Sequence, residues 1–143
     1  MTLKRLIPFL LCLVLLTACG RSDPQTALNA AVKNLQTALE NKDANTVMTL
    51  LHPDFSAQRP EDNREWAKQT MSLMFLRYKN IKIISLSQDS QIDSRVSNRA
   101  FTNADVALTG AEGLIPDSAR HYRIKLEWQL LDKQWKLIRL QWE

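Results

Sequence analysis

The chain is poor in the residues that carry metal and redox chemistry. Its 143 residues hold two histidines and two cysteines. Structural zinc sites draw four such ligands together, and neither cysteine is expected to remain a free thiol, so a tight zinc centre is not expected. Three glycines, Gly20, Gly110 and Gly113, are too few and too scattered for a phosphate-cradling loop. No Gly-x-Ser-x-Gly elbow occurs, which removes the signature of one large hydrolase class. No long run of like charges appears. A nucleic-acid footprint needs a clustered basic face, so no nucleic-acid partner is expected. The longest apolar stretch, Leu6 to Leu16, is interrupted by Pro8 and falls short of the roughly 20 residues that cross a bilayer.

That short stretch has a recognisable order. Lys4 and Arg5 precede it, and Leu16-Thr17-Ala18-Cys19 follows at its end. A basic start, an apolar middle and small residues before a cut site are the parts of a secretory leader. The four residues resemble the lipobox of bacterial lipoprotein signal peptides. The resemblance implies removal of residues 1–18, diacylglycerol on the Cys19 sulfur and an acylated amine there. Two or three acyl chains hold firmly where one holds marginally, at ~0.8 kcal/mol per buried methylene. Gly20 stands where Asp would favour the inner membrane, so the resemblance implies a periplasm-facing anchor in the outer membrane. Cys12 would leave with the leader and Cys19 would be lipidated, so no thiol remains for a disulfide.

Removing Lys4 and Arg5 with the leader lowers the formal charge of +4 by two, so the remaining domain is only mildly basic. Residues 19–25 read as a lipidated tether and 26–143 as one domain, a length that supports one core.

Asp23 and Pro24 mark a helix start. Leu28, Val32, Leu35 and Leu39 recur at helical spacing, so a helix is expected from about Pro24 to Asn41. Asp43 or Asn45 can cap a shorter helix through Leu51, stopped by Pro53. His52-Pro53-Asp54-Phe55 is then expected to turn the chain. Asp62 with Glu65 reads as a capping box for a third helix ending near Tyr78, Lys79 and Asn80. From Ile81 the pattern shortens to strands. Ile81–Leu86 is the first, Gln88-Asp89-Ser90 a turn, and Gln91–Asn98 a weak strand. Ala104, Val106 and Leu108 alternate with Asp105, Ala107 and Thr109, and a loop is expected over Gly110–Ala119. Tyr122, Ile124, Leu126, Trp128 and Leu130 make the cleanest alternation. Asp132-Lys133 turns into a last strand, Trp135–Trp142, with Ile138, Leu140 and Trp142 on one face.

Three N-terminal helices followed by a strand meander predict an α+β fold, with the helices packed on a curved antiparallel sheet of about five strands. The helix ending Leu50-Leu51-His52-Pro53-Asp54-Phe55, its two companion helices and the final hairpin with Trp135-Lys136-Leu137 resemble the nuclear transport factor 2-like, or cystatin-like, cone superfamily. That resemblance implies a conical cavity between helices and sheet. The candidate lining is Trp66, Met71, Met74, Phe75, Tyr78, Tyr122 and Trp128. A core face filled with adaptable side chains is the more common use of such residues.

The superfamily includes ketosteroid isomerases, polyketide cyclases and dehydratases, which place an acid or base inside the cone, and members that only bind. Here His52 falls in the expected turn, His121 faces away from Tyr122, and Asp93 and Asp105 fall on outward positions. No catalytic, cofactor or metal residue is assigned. Arg123, Lys125, Glu127 and Gln129 share a polar sheet face with Lys136 and Arg139, which is either solvated or docks a partner or second copy. Trp142 either closes the core or anchors that interface. The expected function is non-enzymatic binding of an envelope protein or a small apolar ligand. The alternatives are an acid–base enzyme and a structural envelope protein.

Overall fold

The computed structural model describes residues 22–111 and 118–143. The leader cut and Cys19 lie outside them. Helix α1 spans Pro24–Glu40, α2 Ala44–Leu50 and α3 Arg64–Arg77. The strands are β1 Leu51–Ser56, β2 Asn80–Ile92, β3 Arg99–Ala111, β4 Ser118–Leu131 and β5 Gln134–Trp142. They form one sheet in the order β1-β5-β4-β3-β2. The architecture is α+β as expected, but the sheet is mixed: β1 runs parallel to β5.

Helix α1 starts where Asp23 accepts the Thr26 N–H at 3.1 Å and Pro24 needs no donor partner. It buries Leu28, Ala31, Val32, Leu35 and Ala38. It ends in a Schellman motif: the Asp43 N–H reaches the Ala38 carbonyl at 2.8 Å and the Lys42 N–H reaches Leu39 at 3.1 Å. Lys42 takes the left-handed position, φ 58°, which is usually left to glycine. Its side chain supplies a reason: Nζ donates to the Phe75 carbonyl at 3.0 Å, tying α1 to α3.

Side chains cover part of the free backbone on both sides of the sheet, where an exposed edge invites pairing with other chains. At β2, Ile83 donates its N–H to Glu40 Oε1 at 2.8 Å and accepts from Gln36 Nε2 at 2.9 Å. Gln25 Nε2 donates to the Ser90 carbonyl at 2.9 Å. Beyond the end of β1, Gln58 Nε2 donates to the Trp142 carbonyl at 2.7 Å while its Oε1 accepts the Trp142 N–H at 3.3 Å.

Trp128, fully buried, donates Nε1–H to Thr102 Oγ1 at 3.1 Å, and Thr102 shares a hydroxyl contact of 2.8 Å with Ser90. Trp135 Nε1 donates to the Pro24 carbonyl at 3.2 Å. These bonds fasten β4, β3, β2 and the start of α1 together. They also leave no indole donor unsatisfied in the core.

Several expectations need correction. His52-Pro53-Asp54-Phe55 is not a turn but lies in β1, an edge strand that tolerates Pro53. His52 is therefore buried, and its Nδ1 accepts the Asp54 N–H at 3.0 Å. Asp62 does not cap α3. Arg59 takes its carboxylate through Nε at 3.1 Å and Nη2 at 2.8 Å, leaving Asn63 as the cap. The turn at Gln88–Ser90 is absent, because β2 pairs with β3 along its length and absorbs its irregularity in a bulge between Ser85 and Ser87. Ile138 leaves the face of Leu140 and Trp142. A β5 irregularity pairs Trp128 with Leu137 but Glu127 with Arg139, so an extra residue shifts the alternation and Leu137 takes the core position.

The expected loop over Gly110–Ala119 is also shorter: Gly110 pairs with Ser118 and Thr109 with Ala119. The rest of that loop lies outside the described residues. The Asp132-Lys133 turn forms with φ of 50° and 64°, a two-residue hairpin whose twist suits the strands.

Candidate functional site

The sheet's inner face and the helices enclose a cavity of about 270 Å³. Helix α1 supplies Val32, Leu35, Gln36 and Leu39, and α3 supplies Trp66, Ala67, Thr70 and Met71. The strands contribute Ile83, Ser85 and Gln88 from β2, Thr102, Ala104 and Val106 from β3, and Ile124 and Leu126 from β4. Val47, Leu51, Phe55, Leu137 and Leu140 complete it. Alternation explains the strand residues: Val106, Ala104 and Thr102 are every second side chain of one strand. Three of the polar groups are already engaged. Gln36 holds the β2 edge, Thr102 holds Trp128, and the Ser85 hydroxyl donates to the Ser87 carbonyl at 3.3 Å.

None of these lining residues is an Asp, Glu, His, Lys, Arg, Tyr or Cys. Acid–base catalysis needs a titratable group within hydrogen-bond reach of the reacting atom. This cavity can hold apolar surface, but its walls offer no proton donor or acceptor of that kind. His52 points elsewhere: it lies on β1 outside the lining and is held by Asp54. His121 is exposed on β4. Asp93 accepts the Arg95 N–H at 2.8 Å in the β2–β3 connection. Asp105 accepts from the Ser87 hydroxyl at 2.7 Å and faces Arg123 at 3.7 Å. Among the described residues no cluster of His, Cys, Asp and Glu fits a metal ion.

The seven residues singled out from sequence divide. Trp66 and Met71 line the cavity. Met74, Tyr78 and Tyr122 line a second hollow of about 430 Å³, with Arg77, Ile81, Leu108, Thr109, Gly110 and Arg120. Phe75 packs against the core, half-buried, and Trp128 lies wholly within it. Tyr78 rests flat against β3. A Cβ at Gly110 would sit 2.7 Å from its Cδ1, so only glycine permits that approach. The Arg77 guanidinium lies 5.4 Å from the Tyr78 ring centre, within cation–π range. The strand residues Ile83, Val106, Ile124 and Leu126 were missed as lining, although their alternation was legible.

The outer sheet face settles its charges largely within itself. Glu127 lies 3.3 Å from Arg99 and 3.9 Å from Arg139, and Arg123 lies 3.4 Å from Glu143. Lys136 instead donates to the Thr49 carbonyl at 2.6 Å, a favourable place for a cation at the end of α2. Trp142 is half-buried and stacks on Trp66, ring centres 6.4 Å apart.

No protein-family model matches the sequence, and no curated protein matches it. Solved structures do. A candidate dehydratase from the NTF2-like family of Streptomyces avermitilis aligns with a TM-score of 0.71 at 14% identity, covering 84% of this chain and 96% of that one. A candidate ketosteroid isomerase from Shewanella frigidimarina aligns at 0.67 and 16%, covering 84% and 97%. Bd1075 of Bdellovibrio bacteriovorus aligns at 0.69 and 16%, covering 81% of this chain. This chain spans only 40% of Bd1075. The fold is therefore the NTF2-like, or cystatin-like, cone.

Proposed function

We propose that the chain is a lipoprotein anchored through Cys19 in the outer membrane, facing the periplasm, and that its cone domain binds a small apolar ligand without chemical change. The address rests on Leu16-Thr17-Ala18-Cys19 and Gly20. The activity rests on one observation: the cavity is apolar and none of its lining residues is ionisable. Ligand sites are typically apolar with a few placed polar groups, and Thr70, Ser85 and Gln88 supply these here.

An isomerase or dehydratase is the competing reading, favoured by the names of two structural neighbours. It requires an acid or base facing the ligand. Tyr78 and Tyr122, in the outer hollow, are candidates, and no carboxylate or imidazole joins them among its described lining residues. A purely structural envelope protein would bind neither substrate nor ligand.

Two experiments separate these. Cys19→Ser should move the protein from the outer-membrane fraction to the soluble periplasmic one; a variant that stays with the membrane refutes the anchor. Titration with the neutral probe decan-1-ol should show saturable binding that Ala104→Phe abolishes by filling the cavity. Binding unaffected by that substitution would place the ligand elsewhere.

A further inference from the structure

Strand β2 changes which of its residues face the cavity partway along. Ile83 and Ser85 line it, and unbroken alternation would turn Ser87 and Asp89 inward next. The bulge between Ser85 and Ser87 adds one residue, and an extra residue reverses the alternation. Gln88 therefore pairs with the inward Ala104 and joins the lining. Ser87 and Asp89 pair instead with Asp105 and Asn103 on the outer face. The bulge keeps a carboxylate out of the cavity and brings a neutral amide in.

That amide is free to bind. Gln36 and Thr102 are engaged, and the Ser85 hydroxyl is turned to the Ser87 carbonyl across the bulge. The side chains of Gln88 and Thr70 make no hydrogen bond among the described residues. Of the lining residues, only Ser85 and Gln88 are exposed, and Thr70 is half-buried. The fully buried ones are apolar apart from Thr102. The cavity thus meets water beside the bulge, where its free hydrogen-bonding capacity also lies.

We infer that the ligand is a neutral molecule with one oxygen function, bound through that oxygen to the Gln88 amide, with the Thr70 hydroxyl as second partner and the hydrocarbon part against the buried wall. This rests on the apolar-ligand reading above and narrows it. Both side chains can donate to an uncharged oxygen. A carboxylate would give up hydration and meet no cation among the lining residues. Size limits the hydrocarbon part. An apolar cavity of about 150 Å³ holds benzene, and by that scale the 270 Å³ here takes roughly ten carbons.

The test is titration of the full chain with decan-1-ol, with decanoate, and with butylbenzene, which has no oxygen. Decanol should bind roughly tenfold more tightly than decanoate. Gln88→Leu should lower the ratio of decanol to butylbenzene affinity roughly fivefold, the size of one net hydrogen bond. Thr70→Val should lower it less, and Thr70→Ser, which keeps the hydroxyl, should restore it. Both probes need folded protein, so misfolding does not move the ratio. A ratio unmoved by Gln88→Leu overturns the oxygen contact, and one moved by Gln88→Leu alone removes Thr70 from it. Decanoate that binds as tightly as decanol overturns the neutral head. The apolar reading survives these outcomes if Ala104→Phe still abolishes decanol binding. Failure of decanol to bind the unaltered chain removes that reading and this inference with it.

Discussion

Strand β3 has two ends that obey the same alternation and meet different fates. Its inward residues are Ala100, Thr102, Ala104, Val106 and Leu108. The first two are 0% and 1% exposed, and Leu108 is 38% exposed. At the closed end, Trp128 and Thr102 fill the space under the start of α1. At the open end, α3 carries Leu73, 64% exposed, and Leu76, 86% exposed. Close packing and open space are therefore separated along one strand. The closed end holds buried hydrogen-bonded aromatics, and the open end keeps room.

The sharpest way to break this contrast is at the closed end. Trp128→Ala removes a fully buried indole and should cost about 3–5 kcal/mol, read as a large fall in melting temperature or failure to fold. An unchanged melting temperature would place the stabilising core elsewhere.

Thr102→Val is next. It keeps the shape but leaves the Trp128 N–H without its acceptor. An orphaned buried donor costs about 1–3 kcal/mol, measurable by denaturant titration. A loss as large as that of Trp128→Ala would mean that packing, not the hydrogen bond, is being read.

How much of this division was written in the sequence differs between the ends. The helices were legible, because Leu28, Val32 and Leu35 repeat at 3.6 residues and Asp23 caps the first turn. So was β4, where five apolar residues alternate. Three misplacements arise from strand pairing, two of them with a partner far along the chain and one from a bulge within the last hairpin. Pro53 reads locally as a breaker, yet β5 draws His52 and Phe55 into a parallel strand. Gln88-Asp89-Ser90 reads as a turn, yet Ala104, Asn103 and Thr102 pair with it. Ile138 reads as inward until a bulge shifts the register. The cavity was only half legible for a related reason. Side-chain type says that Trp66 and Met71 are apolar, but not that Trp128 is sealed while Tyr122 lies at an opening.

Asp62 offers a smaller test between the ends. The side-chain hydrogen bond from the Arg59 guanidinium holds its carboxyl below the usual carboxylate range. A depressed folded-state pKa stabilises above the unfolded value, about 3.9, and that contribution is lost as the pH falls through the lower folded value. Stability should thus be insensitive to this group near neutral pH and fall in acid. Asp62→Asn should flatten that acid slope, seen in melting temperatures across the acid range. An unaltered slope would assign acid sensitivity to other carboxylates.

The smallest effect should come from the most exposed apolar residues. Leu73→Ser and Leu76→Ser remove side chains that bury little on folding. Surface changes of this kind usually stay within about 0.5 kcal/mol, so the melting temperature should hardly move. The contrast with Trp128→Ala is the point. A leucine that contributes little to folding still places apolar surface in water on the helix that carries Met71 and Met74 to the two hollows. If decan-1-ol affinity falls in the Leu73→Ser variant while stability holds, the apolar rim takes part in capture. If affinity and stability both hold, binding is confined to the interior, and the exposed face of α3 answers to something other than this ligand. A large loss of stability would instead show that the open end is packed, and the separation of the two ends would fail.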